Sequence, residues 1–239
     1  MWSWDAFFDF LTNPQLIQGA WTTIWLTTVS MALALPLAVL VALGRASRIA
    51  PVRAVTGFYV WLMRGTPLLV QLVIIYTGLP QLGLRLGVIS AALTGLVLNE
   101  AAYLSEIVRA GVLSVPRGQS EAARALGMPP WKVFRVVVMP QALRVMVPPL
   151  GNSFNGLLKT TTLVSVISVE ELLRRTQFAV QTNFRVLEGL TVAALYYLAM
   201  TTLWGLVQRW LEARVGRGHE NRPTSGRRMK SAVLELETR

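Results

Sequence analysis

The chain has 239 residues, of which 53% are hydrophobic and 15% are charged, and its formal net charge is +11. This apolar content excludes an ordinary soluble domain of the same length, so we expect most of the chain to lie in lipid. Cysteine is absent and His219 is the only histidine, which leaves no disulfide framework and few ligands for zinc or iron. We therefore predict no metal site and no catalytic residue.

The positive charge is densest near the C-terminus. A basic tail beside a membrane span is typical of cytoplasmic placement and of contact with anionic membrane lipids. No basic patch interleaved with aromatic residues argues for nucleic-acid binding, and we predict none. The tail carries eight basic residues: Arg209, Arg214, Arg217, Arg222, Arg227, Arg228, Lys230 and Arg239.

The N-terminal segment, residues 1–16, is rich in tryptophan and phenylalanine and has no lysine or arginine. Because a signal peptide begins with basic residues, we interpret the segment as an interfacial one. The uncharged run that follows has its apolar core at Trp21–Leu43. At 1.5 Å per residue this run is long enough to cross about 30 Å of hydrocarbon.

Four more apolar runs follow, and each is long enough to be a span. Together they predict an all-α integral membrane protein with five spans, a transmembrane domain over residues 17–211 and a flexible basic cytoplasmic tail over residues 212–239. The runs are Ala54–Leu79, interrupted at Arg64–Pro67; Val88–Val112, which contains Glu100 and Glu106; Val138–Leu158, which contains Pro148 and Pro149; and Gly189–Gln208.

The distribution of lysine and arginine predicts the orientation. The first loop, the third loop and the tail contain sixteen of these residues, whereas the N-terminus and the second and fourth loops contain five. Short cytoplasmic segments retain positive charge, so the N-terminus is expected outside and the C-terminus inside.

The third loop, residues 114–135, is therefore cytoplasmic. Residues 121–126 are good helix formers, and Gly127 followed by two prolines stops the helix. Ala122 and Ala123 would give this short helix a smooth face, and Glu121 would lie near its positive N-terminal end. We expect such a helix to fit a groove on a partner protein.

The run Glu121-Ala122-Ala123, followed by Gly127 and by Met139-Pro140, resembles the EAA loop of ABC importer permeases. Residues 64–71, 101–111 and 148–152 resemble the branch of that family that takes up polar amino acids, such as histidine, glutamate, glutamine, arginine and opines. The resemblance covers roughly residues 16–211.

The resemblance implies the type I ABC importer permease fold in a bacterial inner membrane. It also implies a second permease subunit, identical or different, two ABC ATPase subunits below, and a periplasmic or lipid-anchored solute-binding protein outside. Glu121, Ala122, Ala123 and Gly127 would then couple the chain to the ATPase. The chain has no phosphate-binding loop, since Lys159-Thr160 follows leucine, so ATP and Mg²⁺ are expected on the partner.

The interruption of the second span indicates a solute site. Gly65 and Pro67 would loosen the helix, and the freed N–H groups from Leu68 onward could hold the α-carboxylate of an amino acid, with Thr66 and Gln71 adding hydrogen bonds. The alternative is a simple kink satisfied by neighbouring helices.

The third span carries two carboxylates. Glu106 and Arg109 are three residues apart and are expected to form a structural pair at the cytoplasmic end. Glu100 lies deeper, where an ionisable group faces a polar cavity or has a partner, and it departs from the family pattern. Thr160 also departs from the family pattern, because related sequences often carry aspartate at this position. The candidate path residues are Arg64, Thr66, Gln71, Glu100, Asn152 and Thr160, and the solute's identity stays open.

Two other functions compete with a permease. An intramembrane enzyme would need paired aspartates, a serine with a base, or a histidine cluster, and the sequence has none of these. A proton-coupled secondary carrier could use Glu100, although five spans and an EAA-like loop fit it poorly.

Overall fold

The computed structural model describes residues 2–216, and every regular element within that range is helical. Turns of other helix types continue three of the helices: π and 3₁₀ turns extend α4 to Leu82, a π-helical segment (Val133–Val138) joins α7 to α8, and a 3₁₀ turn extends α8 to Ile167. The α-helices are α1 (Trp4–Leu11), α2 (Pro14–Arg45), α3 (Ala50–Gly65), α4 (Leu68–Val73), α5 (Val88–Leu113), α6 (Arg117–Ala125), α7 (Pro130–Lys132), α8 (Met139–Thr160), α9 (Leu172–Asn183) and α10 (Val186–Gly216).

The structure agrees with the five predicted spans when the bent pair of α3 and residues 68–82 is counted as one span. Four continuous segments are long and apolar enough to cross a membrane, namely α2, α5, residues 130–167 around α8, and α10. The fifth span is the pair formed by α3 and the segment from Leu68 to Leu82, which meet at a bend of 106°. The predicted interruption of the second span is therefore a sharp turn of the chain.

Proline chemistry explains the position of this turn. Thr66 and Pro67 both have extended backbone angles, with ψ of 145° and 135°. Proline disfavours the helical region for the residue before it and has no N–H to donate, so α3 ends just before the Thr66-Pro67 pair and α4 begins after it.

Helices α2 and α5 pack along each other at the centre of the molecule. Alanines line much of their contact, because small side chains let helix backbones approach closely. At Gly95 a Cβ atom would lie 2.6 Å from the side chain of Leu72, so the absence of a side chain there lets α4 pack against α5. The buried alanines of this core are Ala34, Ala38, Ala91, Ala92 and Ala101.

The N-terminal segment forms α1 and the first turn of α2, and it packs against α10. Phe10 is buried in a second apolar cluster, whereas Trp4 and Phe8 are exposed. Its location at the membrane interface stays a prediction. At the other end α10 continues to Gly216, so residues 212–216 are helical, and the rest of the basic tail lies outside the described residues.

A fusion experiment checks the orientation. A reporter that is active only in the periplasm should be active when fused before Trp2 and silent when fused after Arg239, because sixteen of the counted basic residues lie on the side assigned to the cytoplasm and five on the other. The reverse pattern would overturn both the orientation and the cytoplasmic placement of α6.

Candidate functional site

The short helix α6 lies against the chain on one face and is open on the other. Ala123 is buried and packs with Val133 and Val138, whereas Glu121 and Ala122 are exposed. Leu126, just after the helix, is 84% exposed although it is apolar. An exposed apolar side chain beside an exposed helix face is typical of a surface that a partner covers.

Two details of the predicted coupling helix are corrected by this geometry. The helix begins at Arg117, so Glu121 lies in its middle and not near its N-terminal end. Ala123 does not contribute to an open face with Ala122, because neighbouring positions on a helix point in different directions. The outward surface instead includes Glu121, Ala122 and Leu126.

Gly127 ends α6 in a left-handed conformation, with φ of +77°. Its N–H donates to the Arg124 carbonyl over 2.8 Å, and the Met128 N–H donates to the Ala123 carbonyl over 3.2 Å. These two bonds form a Schellman motif, and Met128 packs beside Ala123 in the same apolar cluster. Gly127 thus sets the direction in which the chain leaves the exposed helix.

Side-chain hydrogen bonds connect the two helices on either side of the break in the second span. Gln71 is buried and its Nε2 donates to Thr66 Oγ1 over 2.7 Å and to the Met63 carbonyl over 2.9 Å. Asn99 of α5 donates from Nδ2 to Gln71 Oε1 and to the Met63 carbonyl, both over 3.1 Å. The first turn of α4 has no side-chain cap. The structure therefore brings Thr66 and Gln71 together and adds Asn99, which the sequence interpretation missed.

Glu100 lies beside this break, one residue after Asn99. Its carboxyl group lies beside the Ser153 side chain of α8, while its Oε1 atom is buried and has no hydrogen-bond partner among residues 2–216. The side-chain oxygen of Asn155, also on α8, is likewise buried and has no hydrogen-bond partner among these residues. Unpaired buried polar atoms are uncommon in folded proteins, so Glu100 Oε1 and Asn155 Oδ1 mark buried polar positions on α5 and α8.

The remaining predicted path residues lie farther along α8. Asn152 is exposed, and its Oδ1 accepts a 3.4 Å hydrogen bond from Gln208 of α10. Trp204 donates to the Gly151 carbonyl over 2.8 Å and stacks on Phe154, so this part of α8 is held against α10. Thr160 ends α8 and its hydroxyl donates to the Gly156 carbonyl of its own helix.

Arg64 is separate from the Thr66–Gln71 pair. Its guanidinium lies 5.3 Å from the centre of the Tyr103 ring of α5. The predicted pair of Glu106 and Arg109 is confirmed at 2.8 Å, and Arg45, the last residue of α2, binds the same carboxylate at 2.7 Å. The second ion pair was not predicted, because it joins residues 61 positions apart.

Comparison with known proteins gives the family. The family model described as "Binding-protein-dependent transport system inner membrane component" matches residues 34–217. The L-cystine transport system permease protein TcyB of Bacillus subtilis (strain 168) is 42% identical over 205 residues, covering 85% of this chain and 88% of the relative. The glutamine transport system permease protein GlnP of Escherichia coli (strain K12) is 37% identical over 214 residues, covering 89% of this chain and 97% of the relative.

Solved structures agree with this result. A crystal structure of an amino acid ABC transporter with histidines superposes with a TM-score of 0.80 at 37% identity and covers 84% of this chain and 94% of that one. An inward-facing MetNI methionine ABC transporter, at 22% identity and a TM-score of 0.68, shares the fold. The chain belongs to the family of inner membrane components of binding-protein-dependent transport systems.

Proposed function

We propose that the chain is the permease subunit of an ATP-driven importer of polar amino acids. The observation that carries the proposal is the identity of 37% to 42% to cystine and glutamine permeases that this chain matches over most of their length. Family membership decides against the proton-coupled secondary carrier, because a binding-protein-dependent system draws its energy from a separate ATPase.

The exposed surface of α6 supports the second part of the proposal, which is coupling. Glu121, Ala122 and Leu126 sit in a groove of the partner ATPase, and the Schellman turn at Gly127 connects the helix rigidly to the span that follows. ATP binding closes the ATPase pair and moves α6, and the spans then rock between outward and inward access. Two copies of this chain, or one copy and a related subunit, form the path.

Reconstitution tests this function. The chain should co-purify with an ABC ATPase, and vesicles containing the complex and a loaded solute-binding protein should accumulate a polar amino acid only when ATP is supplied. Uptake driven by a proton gradient without ATP would refute the proposal. ATPase stimulation by the binding protein loaded with each of a panel of amino acids would identify the solute.

We place the solute path along the polar side of the helix break and along α8, with Thr66, Gln71, Glu100, Asn152 and Thr160 as its candidates. The uncapped first turn of α4 offers backbone N–H groups to a carboxylate, and Glu100 offers carboxyl oxygens that can accept from an amino group. Arg64 faces a different cavity, and we leave it out of this set.

Thr66→Val should weaken transport. The valine retains the shape of threonine but removes the hydroxyl that pairs with Gln71, a hydrogen bond of 2.7 Å. Losing this hydrogen bond between two uncharged groups costs roughly 0.5 to 1.5 kcal/mol, which corresponds to an apparent affinity lower by about two- to tenfold. Uptake assays over a range of solute concentrations measure it. Thr66→Ser retains the hydroxyl, so its apparent affinity should stay near that of wild type. An unchanged apparent affinity in Thr66→Val would show that the solute site does not include Thr66.

Glu100→Gln tests selectivity separately. If the carboxylate tunes the solute charge, the variant should change the ranking of acidic against basic amino acids in competition assays. A lower yield with an unchanged ranking would instead assign Glu100 a structural role through its contact with Ser153.

A further inference from the structure

A cavity of about 440 Å³ lies between the end of α2, the outer face of α3 and the middle of α5. Arg45 and Arg64 line it from two sides, and Trp61 and Tyr103 contribute aromatic rings. Gly57 forms part of its wall, and a Cβ atom placed on Gly57 would contact nothing within 4 Å. The cavity thus has room for a group at this point and has two guanidiniums facing it.

The charges around the cavity do not balance. Glu106 is shared by Arg45 and Arg109 at 2.7 Å and 2.8 Å. In the described part of the chain, residues 2–216, no carboxylate lies within the 4.0 Å ion-pair distance of Arg64, whose guanidinium lies over the Tyr103 ring. Three positively charged arginines, Arg45, Arg64 and Arg109, therefore lie near a single carboxylate, Glu106. Since a guanidinium has five N–H donors and no acceptor, the excess suits an anion with several oxygens.

The location of the cavity indicates where that anion comes from. Arg45 is the last residue of α2 and begins the first basic loop, which the charge distribution places on the cytoplasmic side. Trp61 and Tyr103 are 68% and 43% exposed, as expected of aromatic residues at the level of the lipid headgroups. The cavity would then open at the headgroup layer of the cytoplasmic leaflet.

An apolar surface adjoins the cavity. Val55, Phe58 and Trp61 follow one another at intervals of three along α3, and all three side chains are largely exposed. Phe58 and Trp61 pack together with ring centres 5.6 Å apart. Positions spaced in this way lie on one side of a helix, so the stripe can accommodate an acyl chain whose headgroup sits in the cavity.

We propose that this cavity binds the phosphate headgroup of an anionic phospholipid from the cytoplasmic leaflet, with Arg64 and Arg45 as the phosphate ligands. Basic pockets between membrane helices on the cytoplasmic side suit such headgroups. The site is distinct from the Thr66–Gln71 pair, and the proposal depends on the predicted orientation of the chain but not on which solute it carries.

Native mass spectrometry of the full-length permease tests the site. The protein is released from mixed micelles that contain equal amounts of phosphatidylglycerol and phosphatidylcholine. Wild type should retain phosphatidylglycerol preferentially. Arg64→Gln removes one phosphate ligand and should lower that retention about fivefold or more. Gly57→Leu fills the cavity without changing a charge and should abolish the preference.

Two control variants match these changes. Arg85→Gln removes a charge from the second loop, and Gly205→Leu adds a leucine on α10 at a glycine whose Cβ would also meet nothing within 4 Å. Both should retain phosphatidylglycerol as wild type does. Circular dichroism and size-exclusion profiles show that each variant is folded.

Three results would overturn the proposal. One is unchanged phosphatidylglycerol retention in folded Arg64→Gln and Gly57→Leu. Another is equal retention of phosphatidylcholine by wild type. The third is displacement of the lipid by millimolar inorganic phosphate or glycerol 3-phosphate, which would show a site for soluble anions. Failure of lipid binding together with normal ATP-driven uptake would leave the proposed transport function intact.

Discussion

Replacing Gly127 with arginine should abolish solute-stimulated ATP hydrolysis and uptake while the chain still inserts into the membrane. Gly127 has a φ of +77°, which costs a residue with a side chain about 1–2 kcal/mol. A side chain at this position would also project away from the chain, because a Cβ atom there meets nothing within 4 Å. In the complex, that open space is where we place the ATPase groove, so the arginine disturbs both the turn and the contact.

Two milder variants separate these effects. Asparagine tolerates the left-handed conformation better than alanine does, whereas alanine is the smaller residue. If the Schellman turn is decisive, Gly127→Asn should retain more coupled ATP hydrolysis than Gly127→Ala. The reverse order would show that the loss of coupled ATP hydrolysis comes from the size of the side chain at the contact with the ATPase. Normal uptake by a well-expressed Gly127→Arg protein would contradict the coupling role of this turn altogether.

Glu171→Ala should cause a large loss of stability. The Glu171 side chain is completely buried at the start of α9. Its oxygens accept hydrogen bonds from the Arg174 and Leu173 N–H groups, at 2.8 Å and 3.0 Å, and from the Tyr197 hydroxyl of α10 at 2.7 Å. Burial raises the pKa of the Glu171 carboxyl, although these three donors act in the opposite direction.

Truncation to alanine would leave three partly buried donors without their acceptor, at a cost of about 1–3 kcal/mol for each that stays unpaired. We expect a loss of at least about 3 kcal/mol and a melting temperature in detergent lower by about 6–12 °C. Glu171→Gln retains one acceptor oxygen and should lie between wild type and alanine.

The adjacent residue provides the control for this prediction. Glu170 is exposed, and its ion pair with Arg175 at 3.2 Å lies near the surface, where such pairs contribute about 0–1 kcal/mol. Glu170→Ala should therefore melt close to wild type. Equal melting temperatures for the Glu170 and Glu171 alanine variants would refute the structural role of the buried carboxylate.

The apolar and charged pattern alone predicted the membrane architecture. Each span depends on the hydrophobicity of about twenty consecutive residues, and orientation depends on how many basic residues lie in each loop, so both can be read without knowing which helices touch. The helix break before Leu68 and the stop at Gly127 were also predictable, because proline and glycine act on the backbone next to them.

Tertiary structure decided the partners of the polar side chains. The bond between Asn99 and Gln71 joins residues 28 positions apart, and that between Tyr197 and Glu171 joins residues 26 positions apart. No helical period links such positions, so the sequence did not single out Asn99 or Glu171. The burial of Ala123 beside the exposed Ala122 likewise follows from the packing of α6 on Val133 and Val138. Local chemistry sets where helices begin and end, whereas the environment of each polar group depends on which helices pack together.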